Sequence, residues 1–146
     1  SLHDALPIFR ALVEADVLTI CSGGGGIPVV AEDGQYVGVE AVNDKDFSAR
    51  VLAENVDADR LIILTGVDNI YINYNQPDQK ALEQISVAEA EEYIKEGHFA
   101  AGSMLPKIEA ALDFVKGDDK RKAIITSIEN LENIDKEAGT VISQKG

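Results

Sequence analysis

The sequence predicts an α/β protein, a mostly parallel sheet covered on both sides by helices with one β-hairpin set into the chain. Three short apolar runs, at residues 17–21, 61–65 and 123–126, lack in/out alternation, as strands buried on both faces do. Segments of helical period lie between them. The first run, Val17-Leu18-Thr19-Ile20-Cys21, ends at four consecutive glycines, Gly23 to Gly26, with Pro28 stiffening the exit. Asp33-Gly34, between two β-rich runs in residues 27–42, is a hairpin signal. Ala49, Leu52, Ala53 and Val56 share one helical face, and Asp44-Lys45-Asp46 falls where that helix should begin. The second strand runs out into Thr65-Gly66-Val67-Asp68. Ser86 and Glu89 form a capping-box pattern opening a helix that turns Val87, Ala90 and Ile94 inward. The last helix carries Ile108, Ala111, Leu112 and Val115 on one face, and the third strand follows.

Composition narrows the classes. A chain of 146 residues with 45% hydrophobic content can bury one core, and nothing in it resembles a linker, repeat or low-complexity tract. The 26 acidic against 13 basic residues give a formal charge of -13, which repels nucleic acid and anionic membranes as partners. The single cysteine, Cys21, excludes an internal disulfide or a cysteine zinc cluster, and suits a reducing cytoplasm. No apolar run approaches the ~18 residues of a membrane span, and no secretory signal pattern is present.

Four glycines at a strand end are costly in backbone entropy. A ligand passing close to the backbone explains them, because no Cβ intervenes and N–H groups can converge on an anion. The run fits neither common nucleotide fingerprint: a G-x-G-x-x-G count from Gly23 or Gly24 places Pro28 or Val29 at the third glycine, and no Gly-Lys-Ser/Thr occurs. In such a sheet ligands collect at the carboxyl ends of strands. Lys45 stands at one helix start beside two carboxylates, and Gly102-Ser103-Met104-Leu105-Pro106-Lys107 repeats the device at another. In an acidic chain, two lysines at helix starts near a glycine loop suggest a phosphate clamp.

These segments, Ser22 to Val30, Asp44-Lys45-Asp46, Thr65 to Tyr71, Pro77 to Leu82, Gly97 to Ala111 and Gly139-Thr140, closely resemble the carbamate kinases of the amino acid kinase family. The order and spacing of the motifs match as well. The resemblance implies a three-layer αβα sandwich and reversible phosphoryl transfer between ATP and carbamate, with ADP and carbamoyl phosphate giving ATP in arginine fermentation. It implies Mg²⁺ carried by ATP or ADP, with no metal ligands from the protein. Lys45 matches a lysine on the transferring phosphoryl group, Asp46 the carboxylate that orients the catalytic lysines, and Lys107 a lysine that reaches the nucleotide phosphates. Ser22, Gly23, Gly24, Gly25 and Gly26 match the loop that approaches carbamate or carbamoyl phosphate. Thr65, Val67, Asp68 and Tyr71, with Gly102, Ser103 and Met104, match the nucleotide site. Full-length members of the family are homodimers, which the resemblance implies as the assembly.

The resemblance has departures. Gly66 stands where the family usually has Asp, and Ala101 where Pro is common. His98 is tempting as a general acid, but the family gives it no such role, and a hydrogen-bonded structural histidine fits better. Only the C-terminal, nucleotide-binding half is matched, so another glycine loop and another lysine of the family have no counterpart, and the 146 residues alone are expected to be inactive. Residues 1–8 match nothing in the family and read as a non-native leader, leaving a single domain over residues 9–146. The alternatives are a non-catalytic nucleotide-binding fragment, or another amino acid kinase such as an acetylglutamate or uridylate kinase, whose motifs fit residues 97–111 poorly.

Overall fold

The computed structural model describes residues 2–146, with side chains from Pro7 onward; the leader expected over residues 1–8 lies for the most part outside the described side chains. Where composition predicts one domain, packing sorts the chain into two compact units, Ser1–Asp57 and Ala58–Gly146.

The first unit opens with α1 (Leu2–Glu14), which runs through Pro7. The hairpin of β1 (Val29–Glu32) and β2 (Gln35–Gly38) is antiparallel, with Glu32 opposite Gln35. Its turn residues Asp33 and Gly34 have φ of 49° and 78°, the paired left-handed conformation that matches a two-residue turn to strand twist. Helix α2 (Lys45–Asn55) is capped by Asp44, whose carboxylate accepts from the Asp46 and Phe47 amides. The Arg10 Nε donates to the Asn55 carbonyl at 2.6 Å, tying α1 to the end of α2.

The strand expected over residues 17–21 is not formed, and Leu18 and Ile20 are 96% and 100% exposed. The apolar run makes the segment fit for a sheet, but a strand exists only through ladder bonds to a neighbour. In this unit the described strands, β1 and β2, pair with each other.

The second unit is built on a four-stranded sheet in the order β3-β7-β8-β6. β3 (Arg60–Thr65) and β7 (Lys122–Ser127) are parallel, as are β6 (Gln84–Ser86) and β8 (Thr140–Ser143), while β7 and β8 are antiparallel. The sheet is therefore mixed, with parallel pairs in the majority, and the architecture is α/β. β7 is buried on both faces, as its unbroken apolar run predicts. β3 departs from that expectation: Leu61 and Ile63 are buried, whereas Ile62 and Leu64 are each 38% exposed. It is one of the two edge strands of the sheet, and the residues of one of its faces remain partly exposed.

Helices α3 (Val87–Lys95) and α4 (Met104–Lys116) pack against each other and the sheet. The predicted stripe of α4 is fully inward, and Ala110 and Phe114 are buried beside it. A small antiparallel pair, β4 (Ile70–Ile72) and β5 (Lys80–Leu82), is fastened to the main sheet through Thr140. The buried Thr140 hydroxyl accepts from the Ile70 amide at 2.8 Å and donates to the Leu82 carbonyl. Gly139 precedes it at φ +122°, where a Cβ would lie 2.6 Å from that of Thr126 and 2.7 Å from the Ile125 carbonyl oxygen. Only glycine fits there.

The capping box forms as predicted: the Ser86 hydroxyl accepts from the Glu89 amide, and the Glu89 carboxylate accepts from the Ser86 amide. The Ser86 amide, and after it the Ser86 hydroxyl, donates to that carboxylate and holds the Glu89 carboxyl below its ordinary value of 4.5. Because the folded-state pKa is the depressed one, the stabilisation is present above 4.5 and is lost as pH falls through the folded-state value. Ser86→Ala should cost about 1 kcal/mol in urea unfolding at neutral pH. The stability gap between the parent and Glu89→Gln should close on acidification, and a gap that widens would contradict the cap.

Candidate active site

The first group of site residues gathers where the glycine loop meets the start of α2. Ser22, Gly23, Gly25 and Gly26 all have positive φ, from 50° to 128°, so the loop folds back on itself rather than continuing as a strand. Ser22, Gly23, Cys21 and Lys45 line a cavity of about 330 Å³, closed beneath by Ala49, Leu52 and Ala53 of α2. The cavity thus brings the glycine run and the first lysine together. Lys45 is the first residue of α2, and its side chain is 65% exposed. Asp46 is 7% exposed, with its carboxylate 3.8 Å from the Lys45 ammonium. The Asp44 cap takes the Asp46 and Phe47 amides, so the groups set beside the glycine loop are a flexible cation and, at its base, a fixed carboxylate, an arrangement suited to a phosphoryl group.

A second cavity beside the same loop, about 650 Å³, is lined by Ser22, Gly25 and Gly26 with Asn43, Asp44 and Ser48. Ser48 bonds to the loop and Asn43 packs against it, and sequence reasoning did not single them out. A serine inside a helix carries no signal of a contact made 23 residues away.

In the second unit Thr65, Val67, Tyr71, Ser103 and Met104 surround a largely apolar cavity of about 320 Å³. The end of β3, the β4 strand and the start of α4 supply them, so segments nearly 40 residues apart in sequence converge as the motifs imply. Tyr74, His98, Phe99 and Ala100 complete the wall. The Tyr71 and Tyr74 rings lie 5.9 Å apart at 46°, a tilted aromatic contact along one wall of this apolar slot. The resemblance covers residues 97–111 but assigns nothing to Phe99, whose burial comes from packing.

Asp68 and Gly102 do not line this cavity. The Asp68 carboxylate accepts from the Ser127 hydroxyl at 2.6 Å and its carbonyl from Thr126, so it braces the loop after β3 against the end of β7. Gly102 is exposed in the turn before α4. Lys107 lies one turn into α4, half-buried and outside the apolar slot. His98 accepts from the Asn73 amide through Nδ1 at 3.5 Å. Its Nε2 therefore carries the proton and donates to Glu96 at 2.9 Å. Both ring nitrogens are engaged, which matches a structural histidine.

Among the described residues no cluster of three or more His, Cys, Asp or Glu side chains could hold a metal ion, and no helix is long and apolar enough to cross a membrane.

Comparison with known proteins agrees with the motifs. The chain is 55% identical over 139 residues to a carbamate kinase of Latilactobacillus sakei, covering 94% of this chain and 44% of the relative. It is 54% identical over 145 residues to carbamate kinase 1 of Enterococcus faecium, covering 98% of the chain and 46% of the relative. The chain thus spans about half the length of the curated relatives it matches. Among solved structures, carbamate kinase from Giardia lamblia bound to AMP-PNP superposes with a TM-score of 0.90 at 40% identity, over 97% of this chain and half of that one. The family model described as amino acid kinase family matches residues 3–127, and the chain belongs to that family.

Proposed function

We propose that the chain provides the nucleotide-binding side, and two of the phosphate-binding lysines, of a reversible ATP:carbamate phosphotransferase. The observation that carries this reading is the convergence of Thr65, Val67, Tyr71, Ser103 and Met104 on one apolar slot, the residues the motifs assign to the nucleotide. Homology to carbamate kinases supplies the substrate class.

In the ATP-forming direction an oxygen of the ADP β-phosphate attacks the phosphorus of carbamoyl phosphate. The bond from phosphorus to the carbamoyl oxygen breaks, and carbamate leaves. The transition state is loose, with charge spread over the phosphoryl oxygens, so catalysis needs positioned cations and dipoles rather than a covalent nucleophile. Lys45 supplies that charge beside the glycine loop, which receives carbamoyl phosphate. Asp46, buried at the same helix start, orients Lys45. Lys107 acts on the nucleotide phosphates, while Tyr71 and Met104 hold the base. Magnesium would be carried by the nucleotide phosphates, where it would neutralise part of their charge without a dedicated protein cage. Such chemistry suits a cytoplasmic enzyme.

The test is a coupled ATP-formation assay with carbamoyl phosphate, ADP and Mg²⁺, beside calorimetric titration with ADP. The 146 residues alone are expected to bind ADP without turnover, and to turn over when the N-terminal half of a carbamate kinase relative is supplied. Binding without turnover in the completed protein would favour the non-catalytic reading. Absence of both would overturn the assignment.

A further inference from the structure

We infer that Ser48 is a positioning residue that pins the glycine loop to the first turns of α2 and so fixes the loop relative to Lys45; this rests on the loop being an anion site. The Ser48 hydroxyl donates to the Gly25 carbonyl at 2.8 Å, across 23 residues of sequence. Its other acceptor, the Asp44 carbonyl, is farther at 3.1 Å. One hydroxyl has one proton to donate, and the shorter contact goes to the loop. Gly25 is held at two further points. Its amide donates to the Ser22 carbonyl at 3.1 Å, closing a tight turn. Its α-carbon packs against the residue before the cap, so closely that a Cβ would lie 2.6 Å from the Asn43 carbonyl oxygen.

The connection then runs without a flexible joint. Asn43 precedes Asp44, the Asp44 carboxylate caps the helix through the Asp46 amide at 2.7 Å, and Lys45 lies between them as the first helical residue. Glycines could wander freely, yet this loop must present its remaining amides in one arrangement. Anion binding by backbone groups depends on such preorganisation, and misplacement by about 1 Å costs roughly 10²-fold in rate. A helical serine is a poorer helix former than alanine, and at this position its hydroxyl serves the loop instead.

The test uses the ¹⁵N-labelled chain without a ligand and then with inorganic phosphate. In Ser48→Ala, amide exchange at Gly25 and Gly26 should rise about tenfold, while the amides of Arg50 to Asn55 stay within about twofold. Inorganic phosphate, followed by the shifts of the loop amides, should bind about tenfold more weakly. Ser48→Thr, which keeps the hydroxyl, should restore both. Unchanged loop exchange in Ser48→Ala, or a Ser48→Thr variant as loose as alanine, overturns the pin. Faster exchange with phosphate affinity unaltered makes Ser48 merely structural and overturns the positioning role. If phosphate moves no loop signal even in the parent while Ser48→Ala still loosens the loop, the pin stands and the anion-site reading falls.

Discussion

Replacing Lys107 or Lys45 by alanine should lower the turnover number for ATP formation by about 10²–10³-fold, equivalent to roughly 3–4 kcal/mol of barrier. The measurement is made on the chain completed with the N-terminal half of a carbamate kinase relative. The Michaelis constant for ADP should change far less, because these cations are assigned to charge that is spread over the phosphoryl oxygens mainly in the transition state. Asp46→Asn should also be slow, since the carboxylate beside Lys45 is buried and its loss leaves the ammonium without an orienting charge. His98→Gln should stay within about tenfold of the parent, because both ring nitrogens already have partners within the fold. The ranking is decisive: a His98→Gln variant as damaged as Lys45→Ala would require an acid–base mechanism instead.

The largest stability effect is expected at Phe114. It is fully buried on α4, with the Arg121 guanidinium 5.0 Å from its ring centroid. Truncation to alanine removes a fully buried ring from α4, leaves a cavity, and should cost about 3–5 kcal/mol. A urea titration of the 146-residue chain reads this as a lower midpoint with little change in slope. Leu131→Ala, at a position 43% exposed, should move the midpoint by less than about 0.5 kcal/mol equivalent. A Phe114→Ala variant as stable as Leu131→Ala would show that α4 is not the core helix described above.

Local signals carried much of this. Asp33-Gly34 specifies its turn because both positions need positive φ, and Ser86 with Glu89 specifies its helix start because the two groups satisfy each other's amides. Both devices act over four residues or fewer, so the sequence states them outright. The run of residues 123–126 reads as a strand buried on both faces because every side chain in it is apolar or small. The family motifs likewise named Thr65, Val67, Tyr71, Ser103 and Met104 of the apolar slot, together with Asp68 and Gly102, which do not line it.

Tertiary structure decided the rest. Residues 17–21 have the composition of a strand and yet form none, because pairing depends on where a neighbour's backbone lies. β3 has an apolar run like that of β7 but buries one face, since coverage depends on what packs against the sheet and not on the strand's own composition. Asp68, assigned by motif to the nucleotide, is engaged by Ser127 across 59 residues, and Ser48 reaches Gly25 across 23. A hydroxyl's partner is fixed by which backbone is brought within hydrogen-bond distance of it, and composition and period carry no record of that. The sequence by itself thus determined the turns, caps, α/β class and family of this chain, while only the folded structure decided which strands pair, which faces are covered and which polar groups hold the site in place.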